Sequence, residues 1–492
     1  MIDVRTRRPL VVASVIAAMF MIAVEATIVS TAMPQIVARL GGLDLYSWVF
    51  AAFLLTRTAM TVVFGKLSDL VGRKKVMLGG IAIFLVGSLL CGFAWSMPSM
   101  IVFRLIQGVG AGAVQPMAMT IVGDLYPPHE RGKIQGYLAS IWAISAITGP
   151  LAGGLIIAHV SWAWVFWMNL PVGVLAAVGF VRFLHEDVPT GGAGIDHVGA
   201  GLFILGIAAV MADLTVAATA PRTEILALTL AAIALVALFF WRDAGAPEPM
   251  ISLKLWGRRP IAAANAAALF SGMVMTGLTT FLPIYVQGVM GGSALAAGFA
   301  LSVMVLGWPI GATLATHLAM RIGLRPVMLL AGALIPVGAL VFAFLGPSTP
   351  IPFAGLGSLI CGFGMGLLSV ASLMMIQEIV SWSERGSVTS SMLFARSLGN
   401  TFGATAFGAV LNFWLAGTGV PGIASPERLR DLLGGANVGS TEVLRHALEG
   451  ALHATFLAMV VFAALTGLVI LLTPNVTLRR RSEPVAAPSQ AE

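Results

Sequence analysis

Charged residues are scarce in this sequence. They make up 10% of its 492 residues, while 58% of the residues are hydrophobic. An ordinary soluble domain has about 25% charged residues. A soluble fold of this length could not bury so much apolar surface, so the composition excludes the ordinary soluble classes. It predicts an all-α polytopic membrane protein embedded in a lipid bilayer.

Cysteines and catalytic signatures are also few. The two cysteines, Cys91 and Cys361, both lie within apolar runs, which indicates neither a disulfide framework nor a metal site. The sequence contains no H-E-x-x-H, no G-x-S-x-G and no G-x-x-x-x-G-K-[ST] motif. These absences argue against an intramembrane enzyme and an ATP-driven pump, and the short tails leave no room for a signalling domain. We therefore expect no enzymatic activity, no metal and no bound cofactor.

Long apolar runs are abundant. A membrane span needs about 20 apolar residues, and the first run is too long for a signal-peptide core, so we interpret it as a retained span. Fourteen spans are predicted, at 10–33, 46–65, 76–95, 98–122, 134–158, 162–184, 198–217, 223–241, 261–287, 295–319, 326–346, 351–376, 387–415 and 450–473.

The net charge of +7 is distributed as an orientation signal and not as a nucleic-acid-binding surface. Twenty of the 28 Lys and Arg residues fall on one side of the predicted membrane, five on the other and three within spans. Because short cytoplasmic loops carry the excess of Lys and Arg, both termini are predicted to be cytoplasmic. We expect a multi-pass protein of the inner (cytoplasmic) membrane.

An internal repeat relates the two ends of the chain. "IQGVGAG" (106–112) and "ERGK" (130–133) are matched, 254 residues later, by "ICGFGMG" (360–366) and "ERGS" (384–387). "GRKKVML" at 72 is likewise matched by "GLRPVML" at 323. Several matches in order indicate a gene duplication. Two related bundles around a central pathway are typical of secondary transporters, whose binding sites lie between the halves.

The repeat predicts two six-helix bundles with two further helices inserted between them. The expected segments are a cytoplasmic N-terminus at 1–9, an N-terminal bundle at 10–184, a linker at 185–259 with inserted helices at about 198–241, a C-terminal bundle at 260–473 with an outer loop at about 416–449, and a cytoplasmic tail at 474–492.

The segment "GKLSDLVGRKK" (65–75) joins the second and third spans. By itself it could be an ordinary basic loop. It resembles the signature G-x-L-[SA]-D-x-x-G-R-[KR] of the major facilitator superfamily and matches it throughout. The resemblance implies two six-helix bundles and a conformational latch that holds the transporter open to the outside, made of Gly65, Asp69, Gly72, Arg73, Lys74, Asp124 and Arg131. The second-half copy has Met320 in place of Asp69, so a latch there must be weaker or different.

Two charged residues within predicted spans are candidates for proton coupling. "RLIQGVGAG" (104–112) resembles the R-x-x-Q-G motif of the superfamily, whose arginine is tied to proton transfer. Its expected partner is Glu25 in "VEATIVSTAMP", where glutamate replaces the aspartate usual in the fourteen-span drug:proton antiporter branch. A carboxyl that alternates between a dry environment and a wet, paired one can bind and release a proton. A direct contact of Glu25 with a cationic substrate is one alternative, and a static ion pair is the other.

The segment "AITGPLAGG" (146–154) indicates an exporter. Its residues Gly149, Pro150, Gly153 and Gly154 resemble the antiporter motif G-P-x-x-G-G of the same superfamily. Pro150 is expected to kink the helix, and the glycines are expected to allow dense helix packing. "WAWVFWMNLPVG" (162–173), "PEPMISLKLW" (247–256) and "ARSLGNTFG" (395–403) also resemble the fourteen-span antiporter branch.

The candidates for the substrate cavity are polar or aromatic side chains within spans, namely Arg57, Gln107, Gln115, Trp142, Phe281 and Arg396. Ordinary packing or interfacial anchoring is the alternative for the aromatic ones.

These observations predict a proton-coupled secondary transporter that works by alternating access, without a cofactor other than the proton gradient. It most closely fits an exporter of amphipathic drugs or toxic metabolites, acting as a monomer on a small-molecule substrate; whether a periplasmic partner completes the route is left open. A transporter of the same fold for one metabolite or vitamin, even an importer, is the alternative, because Arg57 and Arg396 would suit an anionic or polar solute.

Overall fold

The computed structural model describes residues 6–41, 45–186, 197–216, 222–246, 253–417 and 441–475. Helices account for nearly all of them. They are α1 Arg8–Leu40, α2 Tyr46–Val71, α3 Arg73–Gly92, α4 Met97–Leu125, α5 Pro128–His159, α6 Trp164–Trp167, α7 Asn169–Phe183, α8 His197–Val216, α9 Arg222–Ala244, α10 Leu253–Trp256, α11 Arg259–Gly288, α12 Ala294–Ile322, α13 Leu324–Ala343, α14 Ile351–Glu378, α15 Arg385–Gly417 and α16 Thr441–Leu471.

The helix boundaries follow the internal repeat. Gly72 follows the last residue of α2, and Gly323 follows the last residue of α12. These glycines adopt positive φ angles of 97° and 90°. Because L side chains avoid that region, each glycine permits a tight turn into the next helix. α4 and α14 begin 254 residues apart, at Met97 and Ile351. The duplication seen in the sequence is therefore repeated in the helices.

Each half of the molecule has its own apolar core. One continuous cluster of buried side chains runs from Leu255 to Ile470, and two further clusters lie between Val11 and Leu184. The halves meet where α2 packs on α15 and α5 packs on α12. The interface is thus formed by the second and fifth helices of each bundle. The second helix of one half packs on the fifth helix of the other.

The inserted helices α8 and α9 pack on each other, and α8 packs on α2, with a smaller contact to α15. Phe203 of α8 contacts Phe239 of α9 and Phe394 of α15, with ring centroids 5.2 and 5.5 Å apart. The insert therefore contacts both halves, beside the part of their interface where α2 packs on α15. Asp213 of α8 accepts a hydrogen bond from Thr229 of α9 at 2.9 Å, which joins the pair internally.

The number of spans was predicted to be fourteen, and all fourteen predicted segments fall on helices, the sixth on α6 and α7 together. Within the described ranges, eleven helices are long and apolar enough to cross a membrane. α15 is not among them, since its many Gly, Ser and Thr residues lower its hydropathy. Some side chains of α5 and α8 lie outside the described residues. The exact count stays a prediction.

The last helix begins earlier than predicted. α16 begins at Thr441, nine residues before the predicted last span. Most of the predicted outer loop and the tail lie outside the described residues, as does part of the linker.

Candidate functional site

The Glu25 and Arg104 side chains form an ion pair in the N-terminal half. Arg104 Nη1 lies 2.5 Å from Glu25 Oε1, and the two side chains are 2% and 0% exposed. The same nitrogen donates to Gln107 Oε1 at 2.7 Å, which is possible because the two residues lie one turn apart on α4. Arg104 also donates to the Val49 carbonyl and lies over the Phe53 ring. The structure thus brings the two predicted charged residues, Glu25 and Arg104, together.

Two further members of this network, Asn169 and Ser88, were not predicted from the sequence. Asn169 Nδ2 donates to Glu25 Oε2 at 2.7 Å, and Gln107 Nε2 donates to Ser88 Oγ at 2.8 Å. Asn169 is the first residue of α7, within the quoted run "WMNLPVG", and an amide in an apolar span was the available signal. α1, α3, α4 and α7 each contribute a side chain to one buried cluster.

The network is arranged for an ionised Glu25. Each carboxylate oxygen faces a donor, Arg104 or Asn169. A protonated carboxyl carries an O–H that needs an acceptor, so protonation of Glu25 requires these partners to rearrange. Two residues along α1, Thr27 Oγ1 donates to the Ser145 carbonyl of α5 at 3.0 Å. This hydrogen bond links α1 to a helix of the interface between the halves.

With Glu25 as the predicted proton carrier, we expect Asn169→Ala to retain transport but to move the midpoint of the pH profile of transport toward alkaline pH. The substitution removes one of the two donors to the Glu25 carboxylate, so the ionised form loses stabilisation. Transport measured over a series of external pH values checks this. Asn265→Ala is the matched control, because Asn265 is also a buried amide but bonds Ser391 in the other half; an equal shift in both variants would contradict the assignment.

The Asp69 carboxylate joins α2 to the first turn of α15. It accepts hydrogen bonds from Gly386 N at 2.9 Å, Ser387 N at 2.8 Å and Ser387 Oγ at 2.6 Å. The first backbone N–H groups of a helix have no partner within the helix, and the helix dipole favours a negative charge there. Asp69 thus binds the start of a helix in the opposite half.

Arg73 lies between two carboxylates at this end of the molecule. Its guanidinium is 3.1 Å from Asp69 Oδ1 and 3.3 Å from Asp124 Oδ2. It also donates to the Trp382 carbonyl at 2.6 Å and stacks on the Trp382 ring. Asp124 in turn pairs with Arg385 of α15 at 3.0 Å. Three of the predicted latch residues, Asp69, Arg73 and Asp124, thus lie together and contact residues of the other half.

The repeat makes a second, weaker copy of this contact. Arg131 of α5 pairs with Glu378 of α14 at 3.0 Å, and these positions match Arg385 and Asp124 at the 254-residue offset. Each half therefore offers an acid from its fourth helix to an arginine from the other half. Met320, which matches Asp69, is exposed, so the second copy lacks the bond to a helix start. We call the end where both copies lie the basic end.

Gly72 and Lys74 of the quoted loop have local roles, whereas Gly65 lies at a contact between the halves. Gly72 forms the turn between α2 and α3. Lys74 Nζ donates to the Val181 carbonyl, and the backbone N–H of Lys74 donates to Glu186, so Lys74 lies outside the charged cluster. Gly65 lies against Ser390 of α15, where a Cβ would collide with the serine side chain. Gly65 is therefore a point of close approach between the halves.

We expect Gly386→Ala to lower the thermal midpoint and to slow transport several-fold. A Cβ at Gly386 would lie 2.6 Å from Asp69 Oδ1 and 2.7 Å from the Gly65 carbonyl. Overpacking of this kind costs about 1–3 kcal/mol, and here it falls on the conformation with the basic end closed. Gly408→Ala on the same helix is the control, since its Cβ meets no described atom within 4 Å. Equal midpoints for the two variants would refute the close contact.

Three of the cavity candidates are in contact, and the fourth, Arg396, lies on α15, which packs on α2. Arg57 Nη2 donates to Gln115 Oε1 at 2.8 Å, and its guanidinium lies 5.7 Å from the Trp142 ring. Arg396 is near enough to interact electrostatically with Arg57. The remaining two candidates lie elsewhere: Gln107 belongs to the Glu25 network, and Phe281 packs against Phe407 in the C-terminal core.

The glycines of the antiporter motif differ in their surroundings. Gly149 packs against Thr27 of α1 and leaves no room for a Cβ. Gly153 is buried, whereas Gly154 is exposed and its Cβ would meet no described atom. The expectation of dense packing is therefore wrong for Gly154. α5 continues through Pro150, whose side chain lies outside the described residues, and the expected kink stays a prediction.

Comparison with known families agrees with this arrangement. The family model described as Major Facilitator Superfamily matches residues 15–404. The chain belongs to this superfamily. It is a multi-pass membrane transporter. The two-bundle fold, the charged basic end and the span-four motif therefore belong to one recognised type of transporter.

Similar proteins include two from Bacillus subtilis (strain 168). "Multidrug transporter protein MdtP" is 36% identical over 411 residues, covering 83% of this chain and 76% of that protein. "Multidrug resistance protein 3" is 36% identical over 407 residues, covering 81% of this chain and 79% of that protein. This transporter thus aligns with both relatives over most of their length.

Solved structures share the fold. The human organic anion transporter MFSD10 has a TM-score of 0.64 at 16% identity and covers 94% of this chain and 99% of that one. The proton:xylose symporter XylE has a TM-score of 0.61 at 14% identity and covers 93% and 94%. At these identities the likeness concerns the fold alone.

Proposed function

We propose that this transporter exports amphipathic drugs or toxic metabolites in exchange for protons, by alternating access. The observation that carries the proposal is the buried Glu25 carboxylate, which is paired with Arg104 and fully provided with donors. Charged side chains are costly to place within a membrane, and those that occur there typically mark a functional site. The two similar proteins from Bacillus subtilis are named for multidrug transport or resistance, which supports the export of amphipathic compounds.

Glu25 is proposed to carry the proton, and Arg104 to favour its ionised form. When a proton binds, the carboxyl loses its attraction to Arg104, and the network of Asn169 and Gln107 must rearrange. α1 contacts α5 through Thr27 and Gly149, so the rearrangement reaches the interface with α12. The transporter would then bind a proton while it is open to one side of the membrane and release it after it has opened to the other side.

The basic end is proposed to face the cytoplasm in the inner membrane, since short cytoplasmic loops carry most Lys and Arg residues. In the described conformation the contacts of Asp69, Asp124 and Arg131 hold that end closed. We propose that this conformation belongs to the outward-directed part of the cycle, and that the chain works as a monomer on its small-molecule substrate.

Purified protein in proteoliposomes tests the proposal directly. A pH gradient is imposed, and proton movement and solute movement are recorded together for a panel of dyes, cationic drugs and vitamins. Export of an amphipathic compound against inward proton flow supports the exporter. Solute movement that is independent of the pH gradient would overturn proton coupling.

A transporter for one polar metabolite or vitamin is the second candidate, and a specific observation favours it. Arg57 and Arg396 lie on α2 and α15, which pack on each other between the halves, and two arginines suit a polar or anionic solute. In the same proteoliposomes, a solute that moves inward together with protons would select this candidate over the exporter.

A further inference from the structure

Two arginines from opposite halves converge within the membrane. Arg57 lies fourteen residues from the end of α2 at Val71, and Arg396 lies eleven residues from the start of α15 at Arg385. At 1.5 Å per residue these positions are about 21 and 16 Å from the basic end. Among the residues that the structure describes, no acidic side chain pairs with either of them.

Each arginine lies near a tryptophan on the other interface helix of the same half. Arg57 of α2 lies 5.7 Å from the Trp142 ring of α5, and Arg396 of α15 lies 5.9 Å from the Trp308 ring of α12. A guanidinium over an indole face is a favourable cation–π arrangement. The four helices that form the interface therefore carry two Arg–Trp pairs.

The repeat relates these two pairs with their identities exchanged. The offset that takes Gly72 to Gly323 takes Arg57 to Trp308, and the offset that takes Glu130 to Glu384 takes Trp142 to Arg396. Arginine in one half thus stands where tryptophan stands in the other. The two halves present the same chemistry to the space between them, although no sequence motif is shared at these positions.

A cavity lies beside Arg396. Its volume in this conformation is about 20 Å³, and its lining includes Trp308, Ser271, Ser369, Ser372 and Met365. A ligand larger than a water molecule would therefore bind only where the cavity widens. Ser372 is 2% exposed, and its Oγ is buried without a hydrogen-bond partner. A buried hydroxyl without a partner costs free energy, so this cavity wall offers an unused polar group next to an unpaired positive charge.

We infer that the space between Arg57 and Arg396 binds an amphipathic organic anion, with its carboxylate or sulfonate group on the two guanidinium groups and Ser372 and its apolar body against Trp142 and Trp308. Two unpaired positive charges in a medium of low dielectric constant repel each other, and one bound anion relieves both. The inference rests on the proposed transport function and specifies its substrate class.

This placement separates the substrate from the proton carrier. Gln115, which accepts from Arg57, lies eight residues along α4 from Gln107 of the Glu25 network. That spacing corresponds to about 12 Å of helix. The anion would therefore interact with Glu25 through α4 and not compete for the Glu25 carboxylate.

Equilibrium binding of three probes that share one ring tests the inference. The probes are radiolabelled 1-naphthaleneacetate, its neutral amide and the cation 1-naphthylmethylammonium, bound to the full chain in phosphatidylcholine nanodiscs so that no anionic lipid competes. We expect saturable binding of the anion, at least about tenfold tighter than the amide or the cation, the loss of one charge-assisted contact being worth about 1.4 kcal/mol or more. No saturable anion binding, or a preference for the cation, would overturn the inference.

Arg57→Gln and Arg396→Gln should each weaken anion binding at least about tenfold, and Arg396→Lys should retain part of it. Arg321→Gln is the control, because Arg321 is an exposed arginine at the end of α12. Removing one of two repelling charges should leave the thermal midpoint of the ligand-free protein equal or higher. A lower midpoint together with unchanged anion binding would show that the arginines are structural.

The binding and transport results separate the two proposals. Charge-selective binding without proton-coupled transport would leave the anion site in place and reject the proposed function. Proton-coupled transport of cations that is unchanged in Arg57→Gln and Arg396→Gln would keep the function and reject the anion site.

Discussion

Glu25→Gln is expected to reduce gradient-driven export to background while exchange of substrate down its own gradient continues. The amide cannot release a proton, so the step that couples proton flow to transport is lost. The packing of α1 is preserved because glutamine has the same shape as glutamate. Solute accumulation under an imposed pH gradient and exchange without a gradient, measured in the same proteoliposomes, distinguish the two activities.

The double variant Glu25→Gln with Arg104→Gln separates coupling from stability. Glu25→Gln leaves Arg104 as a buried charge without its carboxylate, and breaking a buried pair in this way costs about 3–5 kcal/mol. Removal of both charges should restore part of the lost thermal stability but none of the coupling. Full gradient-driven export by Glu25→Gln would contradict the assignment of Glu25 as proton carrier.

Asp69→Asn is expected to open the basic end and to slow transport at least about tenfold. The substitution removes the negative charge that Gly386, Ser387 and Arg73 bind. Hydrogen bonds to a charged group contribute about 1.5–3 kcal/mol each, and about 1.4 kcal/mol changes an equilibrium tenfold. The conformation closed at the basic end should therefore lose at least about tenfold in population relative to the open one.

A cysteine introduced at Ser390 reports this opening. Ser390 is fully buried and lies against Gly65 of α2, and the two native cysteines are buried as well. An impermeant maleimide should label Ser390→Cys much faster when Asp69→Asn is also present. Arg131→Gln should give a smaller increase, because the second copy of the contact has one ion pair.

The matched control is Glu384→Gln, an acid near the same end whose hydrogen bonds stay within its own turn, to Ser381. It should label at the rate of the parent. If Asp69→Asn labels no faster than this control, the bonds of Asp69 to α15 do not hold the halves together, and the latch assignment fails.

Some parts of the site were visible in the sequence because they depend on short spacings. Arg104 and Gln107 are one helical turn apart, and Asp69 and Arg73 are four residues apart on either side of a glycine turn. The Glu25–Arg104 pairing followed from a motif together with the rule that a charge within a membrane needs a partner. Asn169 was missed because a single amide in an aromatic run has no spacing that assigns it a partner.

The sequence by itself determined that this chain is a duplicated, helical membrane protein with charged residues at its turns and a few within its spans. Hydropathy, repeats and motifs are local properties, and they persist however the halves are placed. Only the tertiary structure decided that Asp69 binds the start of α15, that Asp124 and Glu378 each pair with an arginine of the opposite half, and that the helices of Arg57 and Arg396 pack on each other. These contacts join residues more than 240 positions apart, and their distances depend on how two separately packed bundles close on each other.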